Sequence, residues 1–383
     1  IGLCGTEEVY FATDHFGAGG GVMVTASHNP IDYNGMKLVG PGATPLSADE
    51  GLGAVHDAAL QGLAPVAAPG TVRQEDPRSA FVGRCLSFVD AGAMRPLKIL
   101  VNAGNGAAGP TFDAIADALA ETGTPLAFER LHHVPDAAFP NGIPNPLLPE
   151  NQPVTAEAVR RTGADFGVAW DGDFDRCFFF DETGAFVPGE YVVGLLAGAF
   201  LAKAPGARIV HDPRVVLNTL SLIAEAGGEA VVSRTGHAHL KARMRAVDAV
   251  YGGEMSAHHY FRDFMACDSG MIPWLLVAEL IGRRGQSLAK LLAERRRNFP
   301  SSGEINFRVT DTKACIARVR EALECKSVTL DETDGLSLQF TDWRFNLRGS
   351  NTEPLLRLNV ESRGRPDLVS DGVAQISAII REA

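Results

Sequence analysis

Cysteine is scarce in this chain: six in 383 residues, with no Cys-x-x-Cys pair and no metal-ligand spacing. That excludes a disulfide scaffold and a thiolate zinc site, and it reads as reduced thiols in the cytoplasm. Positive charge is also in deficit, with 35 Lys and Arg against 46 Asp and Glu and a net charge of −11. A surface of that sign argues against nucleic acid and anionic membranes as partners. No apolar run approaches the ~18 residues of a membrane span. The longest candidate, Met271 to Ile281, is interrupted by Pro273 and Glu279 and reads as a buried helix. No secretory signal is visible. What is abundant is ordinary globular material, 45% hydrophobic and 21% charged, in a chain too long for one core and suited to about two to four domains.

Four segments carry chemistry. In the first, the apolar run Gly21-Val22-Met23-Val24 predicts a short buried strand that leads into Thr25-Ala26-Ser27-His28-Asn29-Pro30 and then Asp32-Tyr33-Asn34-Gly35-Met36-Lys37. A serine at a strand tip, beside a histidine and stopped by Asn-Pro, has its hydroxyl exposed at a sharp bend. Such a serine can take and give a phosphoryl group; an ordinary Ser/Asn/Pro turn looks the same from this segment alone.

The second segment is Asp171-Gly172-Asp173-Phe174-Asp175-Arg176. Three carboxylates at alternate positions on a turn converge, repel one another and call for a cation; oxygen-only ligands select Mg²⁺ before Zn²⁺. Glu182 falls where an EF-hand loop starting at Asp171 would have its final glutamate, but Arg176 stands where that loop needs glycine. Strand-like flanks, Phe166 to Trp170 and Cys177 to Phe180, also exclude the calcium hand.

Third is Gly253-Glu254-Met255-Ser256-Ala257-His258-His259-Tyr260-Phe261, in which carboxylate, hydroxyl and imidazole groups can grip vicinal sugar hydroxyls. Fourth is Arg348-Gly349-Ser350-Asn351-Thr352-Glu353-Pro354 between two strand-like runs, a turn whose N–H groups, hydroxyls and guanidinium would cradle a phosphate.

The pattern around these segments is α/β. A strand at Pro96–Val101, a glycine-rich turn, a helix at Thr111–Thr122 and a strand at Pro125–Phe128 form one β–loop–α–β unit. A loosely similar unit runs from Ala207 to Val232. Segments 61–77 and 298–302 read as linkers. The C-terminal part, with strands near Ile305–Phe307 and Leu336–Phe340 and helices near Thr312–Leu323 and Pro366–Arg381, reads as α+β. A remote alternative is a NAD-binding oxidoreductase: Gly104-Asn105-Gly106-Ala107-Ala108-Gly109 matches G-x-G-x-x-G after a strand, and Glu129 lies about 20 residues on. No hydride-transfer constellation accompanies it. A non-catalytic sugar-phosphate sensor would have no use for Ser27 or the aspartate triad.

Together the four segments, with Phe139-Pro140-Asn141-Gly142-Ile143-Pro144-Asn145-Pro146 and Arg234-Thr235-Gly236-His237, resemble the α-D-phosphohexomutase family, most closely its bacterial phosphomannomutase/phosphoglucomutase branch. The resemblance runs nearly end to end. It implies an α/β multidomain architecture in which three related mixed α/β domains, the first incomplete, and a C-terminal α+β domain surround a central cleft. The expected spans are 1–88 (phosphoserine loop), 89–186 (metal loop), 187–298 (sugar loop) and 299–383 (phosphate loop). By motif, Ser27 resembles the phosphoserine, and Asp171, Asp173 and Asp175 resemble the Mg²⁺ ligands, with the phosphate on Ser27 as the remaining metal contact. Glu254 and Ser256 resemble the hydroxyl-reading pair; Arg348, Ser350, Asn351 and Thr352 resemble the holders of the non-reacting phosphate. His28, Lys37, Arg176, Arg214, His237 and His258 stand where the family has its other polar groups around the sugar, with His28, Lys37 and His258 as candidates for the general acid/base.

The implied activity is interconversion of mannose 1-phosphate and mannose 6-phosphate through a hexose 1,6-bisphosphate that also serves as activator, with action on glucose phosphates as well. Phosphoglucomutase as the main activity is the alternative. The implied setting is cytoplasmic, in GDP-mannose biosynthesis, as a monomer or weak dimer with hexose phosphates as the only partners. Two departures stand out. The family's metal loop often has glycine where Phe174 stands, a minor change if only the aspartates matter. The family's N-terminal Tyr-Asp-Ile-Arg-Gly type motif is absent and the chain opens at Ile1, so the expectation is a fragment lacking the first part of domain one, with exposed strand edges and little activity.

Overall fold

The computed structural model describes residues 1–46, 51–64, 68, 70–350 and 355–381. The chain divides into two compact units: residues 1–186 with 258–285, and residues 187–257 with 286–383.

In the first unit, strands Leu126–Leu131, Leu97–Asn102 and Phe166–Trp170 run parallel in that spatial order, and Cys177–Asp181 pairs antiparallel to Phe166–Trp170. The central strands are hydrophobic at nearly every position because helices cover both faces, as parallel sheets require. Helix Ala108–Glu121 buries Phe112, Ile115 and Leu119, spaced three, four and seven apart, on one face. Helix Met271–Arg284 is buried along most of its length, as its sequence predicts. Its first N–H groups, on Gly270 and Met271, donate to Glu7 Oε1 at 3.1 and 3.0 Å, so a carboxylate from helix Thr6–His15 caps it. Burial pushes the Glu7 carboxyl well above its usual range.

One expectation is corrected here. Strand Gly21–Val24 forms, pairing antiparallel with Met36–Val39, but only Met23 is buried. Val22 and Val24 are more than half exposed, because period-2 alternation in a two-stranded ribbon turns them to the uncovered face.

In the second unit, strands Tyr251–Gly253, Arg208–His211 and Glu229–Val232 are parallel in that order. Helices Gly189–Lys203, Leu217–Glu225 and His237–Val247 belong with them. The C-terminal part is an antiparallel sheet in the order Ser301–Arg308, Leu355–Ser362, Trp343–Gly349, Leu336–Gln339, Thr329–Asp331. Helices Thr312–Leu323 and Pro366–Arg381 close its core, the latter through Val369, Ile376 and Ile380. Both match their sequence-predicted spans, and the first is capped by Asp311, whose Oδ1 accepts from Ala314 N–H at 2.9 Å. Segment 298–302 is not a linker throughout: strand pairing begins at Ser301.

A buried ion pair fixes this unit internally. Arg344 Nη1 lies 2.6 Å from Glu361 Oε1, and the same carboxylate accepts from Val216 and Leu217 N–H at 2.7 and 2.9 Å, capping helix Leu217–Glu225. Arg344 also donates to the carbonyls of Arg214 and Pro213 at 3.1 and 2.8 Å. Removing one partner strands the other charge out of water. Glu361→Ala is therefore expected to cost about 3–5 kcal/mol, read as a lowered urea midpoint; a loss under about 1 kcal/mol would mean the pair is not what ties these segments.

Candidate active site

The site residues follow the carboxyl ends of strands, the face on which α/β sheets bind ligands. Ser27 comes three residues after strand Gly21–Val24, and Asp171 directly follows Trp170. Asp212, Arg234 and Glu254 follow the three parallel strands of the second unit.

Ser27 is held in a left-handed backbone conformation, φ 55°, which a non-glycine residue adopts only at a cost. Its N–H donates to Thr25 Oγ1 at 2.8 Å, and Asn29 N–H closes the turn onto the Ala26 carbonyl at 3.0 Å. The bend aims Ser27 Oγ at two partners, His28 Nδ1 at 2.9 Å and Asp171 Oδ2 at 3.0 Å. Arg176 completes the group: Nε lies 2.8 Å and Nη2 2.7 Å from Asp171 Oδ2, and Nη2 also donates to His28 Nδ1. A guanidinium can only donate, so His28 Nδ1 is an acceptor and the ring proton sits on Nε2. Burial and the Arg176 charge lower the His28 pKa to about 4, so the ring is neutral at pH 7.

The aspartates form the second half. Asp171, Asp173 and Asp175 are at most 3% exposed, and each offers a carboxylate oxygen within 4.8 Å of the others. Lys37 lies among them, 2.8 Å from Asp173 Oδ2, hydrogen-bonded to Asp175 Oδ2, and 3.2 Å from Thr6 Oγ1. Thr6 Oγ1 donates to Asp173 Oδ2 at 2.7 Å. Burial alone would raise the Asp173 pKa, but the Lys37 charge and hydrogen bonds from Lys37, Thr6 and Ser27 together outweigh it and hold the group at about 2. Asp175 is pushed up to about 6 by burial, with Asp173 and Asp171 adding to the rise and Lys37 opposing it. Burial works against the Lys37 charge, yet Asp175 and Asp173 keep its pKa above the usual value. Two buried oxygens, Asp173 Oδ1 and Asp175 Oδ1, accept no hydrogen bond. Three convergent carboxylates with orphaned acceptors fit a hard divalent cation. His258 stands at their edge, Nδ1 being 3.1 Å from Asp268 Oδ2 and 4.0 Å from Asp175 Oδ1.

Phe174 is no minor change. Its backbone is left-handed, φ 44°, which explains why glycine suits the place; its ring is fully buried, and a Cβ on Gly5 would lie 2.2 Å from it. Thr6 N–H donates to the Asp173 carbonyl at 3.0 Å. Ring and hydrogen bond together seat the aspartate loop on the start of helix Thr6–His15.

The second unit gathers the sugar and phosphate candidates. Arg214 donates to Asp212 Oδ2 (2.6 Å) and to Ser256 Oγ (3.3 Å), and lies 3.5 Å from Glu254 Oε1, which accepts from Gly236 N–H at 2.9 Å. Met255 N–H donates to Asp212 Oδ2 at 3.0 Å. Glu304 faces three guanidinium groups: Arg357 at 3.2 Å, Arg348 at 3.4 Å and Arg214 at 3.8 Å. Burial and Arg214 lower the Arg348 pKa, and Arg348 Nε is buried without an acceptor, which favours an anion there. Ser350 N–H donates to the Leu355 carbonyl at 2.8 Å, and His237 opens helix His237–Val247. Asn351 and Thr352 lie outside the described residues.

Four models of the phosphoglucomutase/phosphomannomutase enzymes match: alpha/beta/alpha domain I over residues 1–56, domain II over 80–184, domain III over 188–299 and the C-terminal domain over 304–379. The chain belongs to the phosphoglucomutase/phosphomannomutase family. It is 57% identical over 382 residues to the phosphohexose mutases of Xanthomonas campestris pv. campestris, and 56% identical over 385 residues to the phosphomannomutase of Salmonella typhimurium, in each case covering all of this chain and 84% of the relative. A crystal structure of a family protein from Burkholderia thailandensis, 28% identical, superposes with a TM-score of 0.84 over 99% of this chain and 82% of that one. Membership removes the oxidoreductase reading, and the glycine turn supports the removal. A Cβ on Gly104 would lie 2.4 Å from Pro144 Cβ and one on Gly106 2.6 Å from the Gly172 carbonyl oxygen, so the turn is filled by protein where a dinucleotide would need space. Glu129 pairs with Lys98 at 3.5 Å.

Sequence reasoning missed Thr6, Asp212, Asp268, Glu304 and Arg357. Asp212 had a signal, an Asp-Pro step directly after a strand and two residues before Arg214. Thr6, Glu304 and Arg357 carry none, because their contacts span 44 to 167 positions of chain; Asp268 meets His258 10 residues away, beyond the end of the Gly253–Phe261 motif. No helix among the described residues is long and apolar enough to cross a membrane.

Proposed function

We propose that this family member interconverts mannose 1-phosphate and mannose 6-phosphate, and acts on glucose phosphates as well, through a phosphoserine at Ser27 and a hexose 1,6-bisphosphate that also primes the enzyme. The observation that carries the reading is Ser27 Oγ within hydrogen-bond reach of both a neutral imidazole acceptor and the first aspartate of a cation-binding triad. In the forward half, the Ser27 O–P bond breaks as a P–O bond forms to the sugar's free 6-hydroxyl; the hydroxyl proton passes to a general base, and the Ser27 oxygen regains a proton from a neighbouring acid. In the return half, Ser27 Oγ attacks the 1-phosphate as the bond from phosphorus to the sugar's 1-oxygen breaks; the serine proton goes back to that acid's conjugate base, and the base protonated in the first half gives its proton to the departing 1-oxygen, with His28, Lys37 and His258 as the candidates for these groups. Mg²⁺ held by Asp171, Asp173 and Asp175 would offset charge on the transferring group. Lys37 beside Asp173 and Arg176 beside Asp171 place positive charge in the same region. His258 is oriented by Asp268 at the triad's edge.

The second unit supplies recognition in this reading. Arg214, Arg348, Ser350, Asn351 and Thr352 hold the non-reacting phosphate, and Glu254, Ser256 and His237 read sugar hydroxyls. The four spans 1–88, 89–186, 187–298 and 299–383 each contribute one loop. The setting is cytoplasmic and the state a monomer or weak dimer.

The test is kcat/KM on mannose 1-phosphate and on glucose 1-phosphate, with Mg²⁺ and catalytic bisphosphate. The two sugars differ at C2, and strong rejection needs a buried group left unpaired there. Comparable values are expected. A preference for glucose beyond about a hundredfold, worth some 2.7 kcal/mol, would make phosphoglucomutase the main activity.

A further inference from the structure

The glycine turn Gly104–Gly109 is a sequence motif that the reaction above leaves without a role, and its surroundings give it one. Gly106 lies against Gly172 of the metal loop, and Gly172 lies against Ser27. A Cβ on Gly106 would meet the Gly172 carbonyl oxygen at 2.6 Å and its Cα at 2.9 Å. A Cβ on Gly172 would meet the Ser27 carbonyl oxygen at 2.3 Å. Ala107 N–H donates to the Gly172 carbonyl at 2.9 Å, fixing the first contact as a hydrogen bond. The three backbones therefore stack in contact, and Ser27 is the strained member at φ 55°. Gly106 itself has an ordinary φ, so its lack of a side chain answers the close approach and not a backbone conformation.

We propose that Gly106 and Gly172 are positioning residues for phosphoryl transfer: their stack sets the height of the metal loop against the Ser27 bend, and so the reach from Ser27 Oγ to Asp171. A methyl group at either place wedges the layers apart by about 1 Å, from approaches of 2.6 and 2.3 Å to ordinary contact near 3.4 Å, and backbone atoms cannot swing aside as a side-chain tip can. This inference rests on the reading of Ser27 as the phosphoryl carrier.

The experiment compares wild type with Gly106→Ala and Gly172→Ala, using Gly83→Ala as a control, since a Cβ there meets nothing within 4 Å. Phosphoryl uptake from glucose 1,6-bisphosphate is followed by intact mass, Mn²⁺ affinity by paramagnetic resonance, and folding by thermal melting; kcat and KM are measured separately. A misplacement of this size should slow uptake by about 100-fold in Gly172→Ala and at least about 10-fold in Gly106→Ala. Mn²⁺ affinity should weaken with it, while KM for hexose phosphate and the control stay near wild type. Uptake and Mn²⁺ affinity at wild-type levels in folded Gly106→Ala would overturn the proposal, as would a loss explained wholly by a smaller folded fraction. If Gly172→Ala does not fold, Gly106→Ala decides alone. A wild-type protein that takes up no phosphoryl group would sink the serine reading and this inference with it, an outcome distinct from uptake that ignores the glycines.

Discussion

Ser27→Ala is expected to take up no phosphoryl group from a hexose 1,6-bisphosphate, with no mass increase on the intact protein and kcat lowered by at least about 10⁴-fold. The hydroxyl is the only atom removed. Its two hydrogen-bond partners, His28 Nδ1 and Asp171 Oδ2, keep each other's company through Arg176, so the network closes over the gap. Alanine also tolerates the bend no worse than serine, because both carry a Cβ at φ 55°. Melting temperature should therefore change little while chemistry disappears, which separates a lost nucleophile from a damaged fold. The proposed sugar and phosphate groups of the second unit are untouched, so hexose phosphate is expected still to bind. Label retained by the alanine protein would end the assignment of Ser27.

Asp173→Asn should weaken divalent-cation binding by about 100-fold, some 2.7 kcal/mol, with hexose phosphate affinity much less affected. The substitution keeps the shape and removes one of three negative charges in a water-poor site, where each charge acts at low effective dielectric. Asp173 is held ionised at about 2 by Lys37 together with hydrogen bonds from Thr6 and Ser27, and its Oδ1 is an acceptor with nothing to accept. The asparagine amide offers one oxygen and would turn its NH₂ toward Lys37 or Thr6, leaving that orphan position worse served. Mn²⁺ titration by paramagnetic resonance reads this without turnover. Unchanged Mg²⁺ dependence of activity, together with unchanged Mn²⁺ affinity, would refute Asp173 as a ligand.

Much of the candidate site was legible because its parts are local. The aspartate triad is a single turn, the Ser-His-Asn-Pro bend another, and each lies next to an apolar run that announces a strand. The helices at 312–323 and 366–381 were readable to the residue, the first with an Asp cap and the second with a clean amphipathic face. Reading failed where an element's neighbours decide its state. Strand Gly21–Val24 looks buried by composition but has only one strand partner, and segment 298–302 looks like a linker until strand Leu355–Ser362 pairs with Ser301. Phe174 looked like a tolerated exchange because its ring's place against Gly5 is about 170 residues away in sequence.

By itself the sequence determined the chemistry on offer: a serine at a bend, three carboxylates on one turn, and the strand-and-helix punctuation that makes an α/β protein. Spacing along the chain fixes those, since turns and periodicity involve neighbours only. Tertiary structure alone decided which atoms meet. It set Asp171 against Ser27, Lys37 among the aspartates, Glu304 among three arginines, and the glycine turn against the aspartate loop. Those pairings join residues from 44 to 144 positions apart, and only packing, burial and the closure of long loops select them.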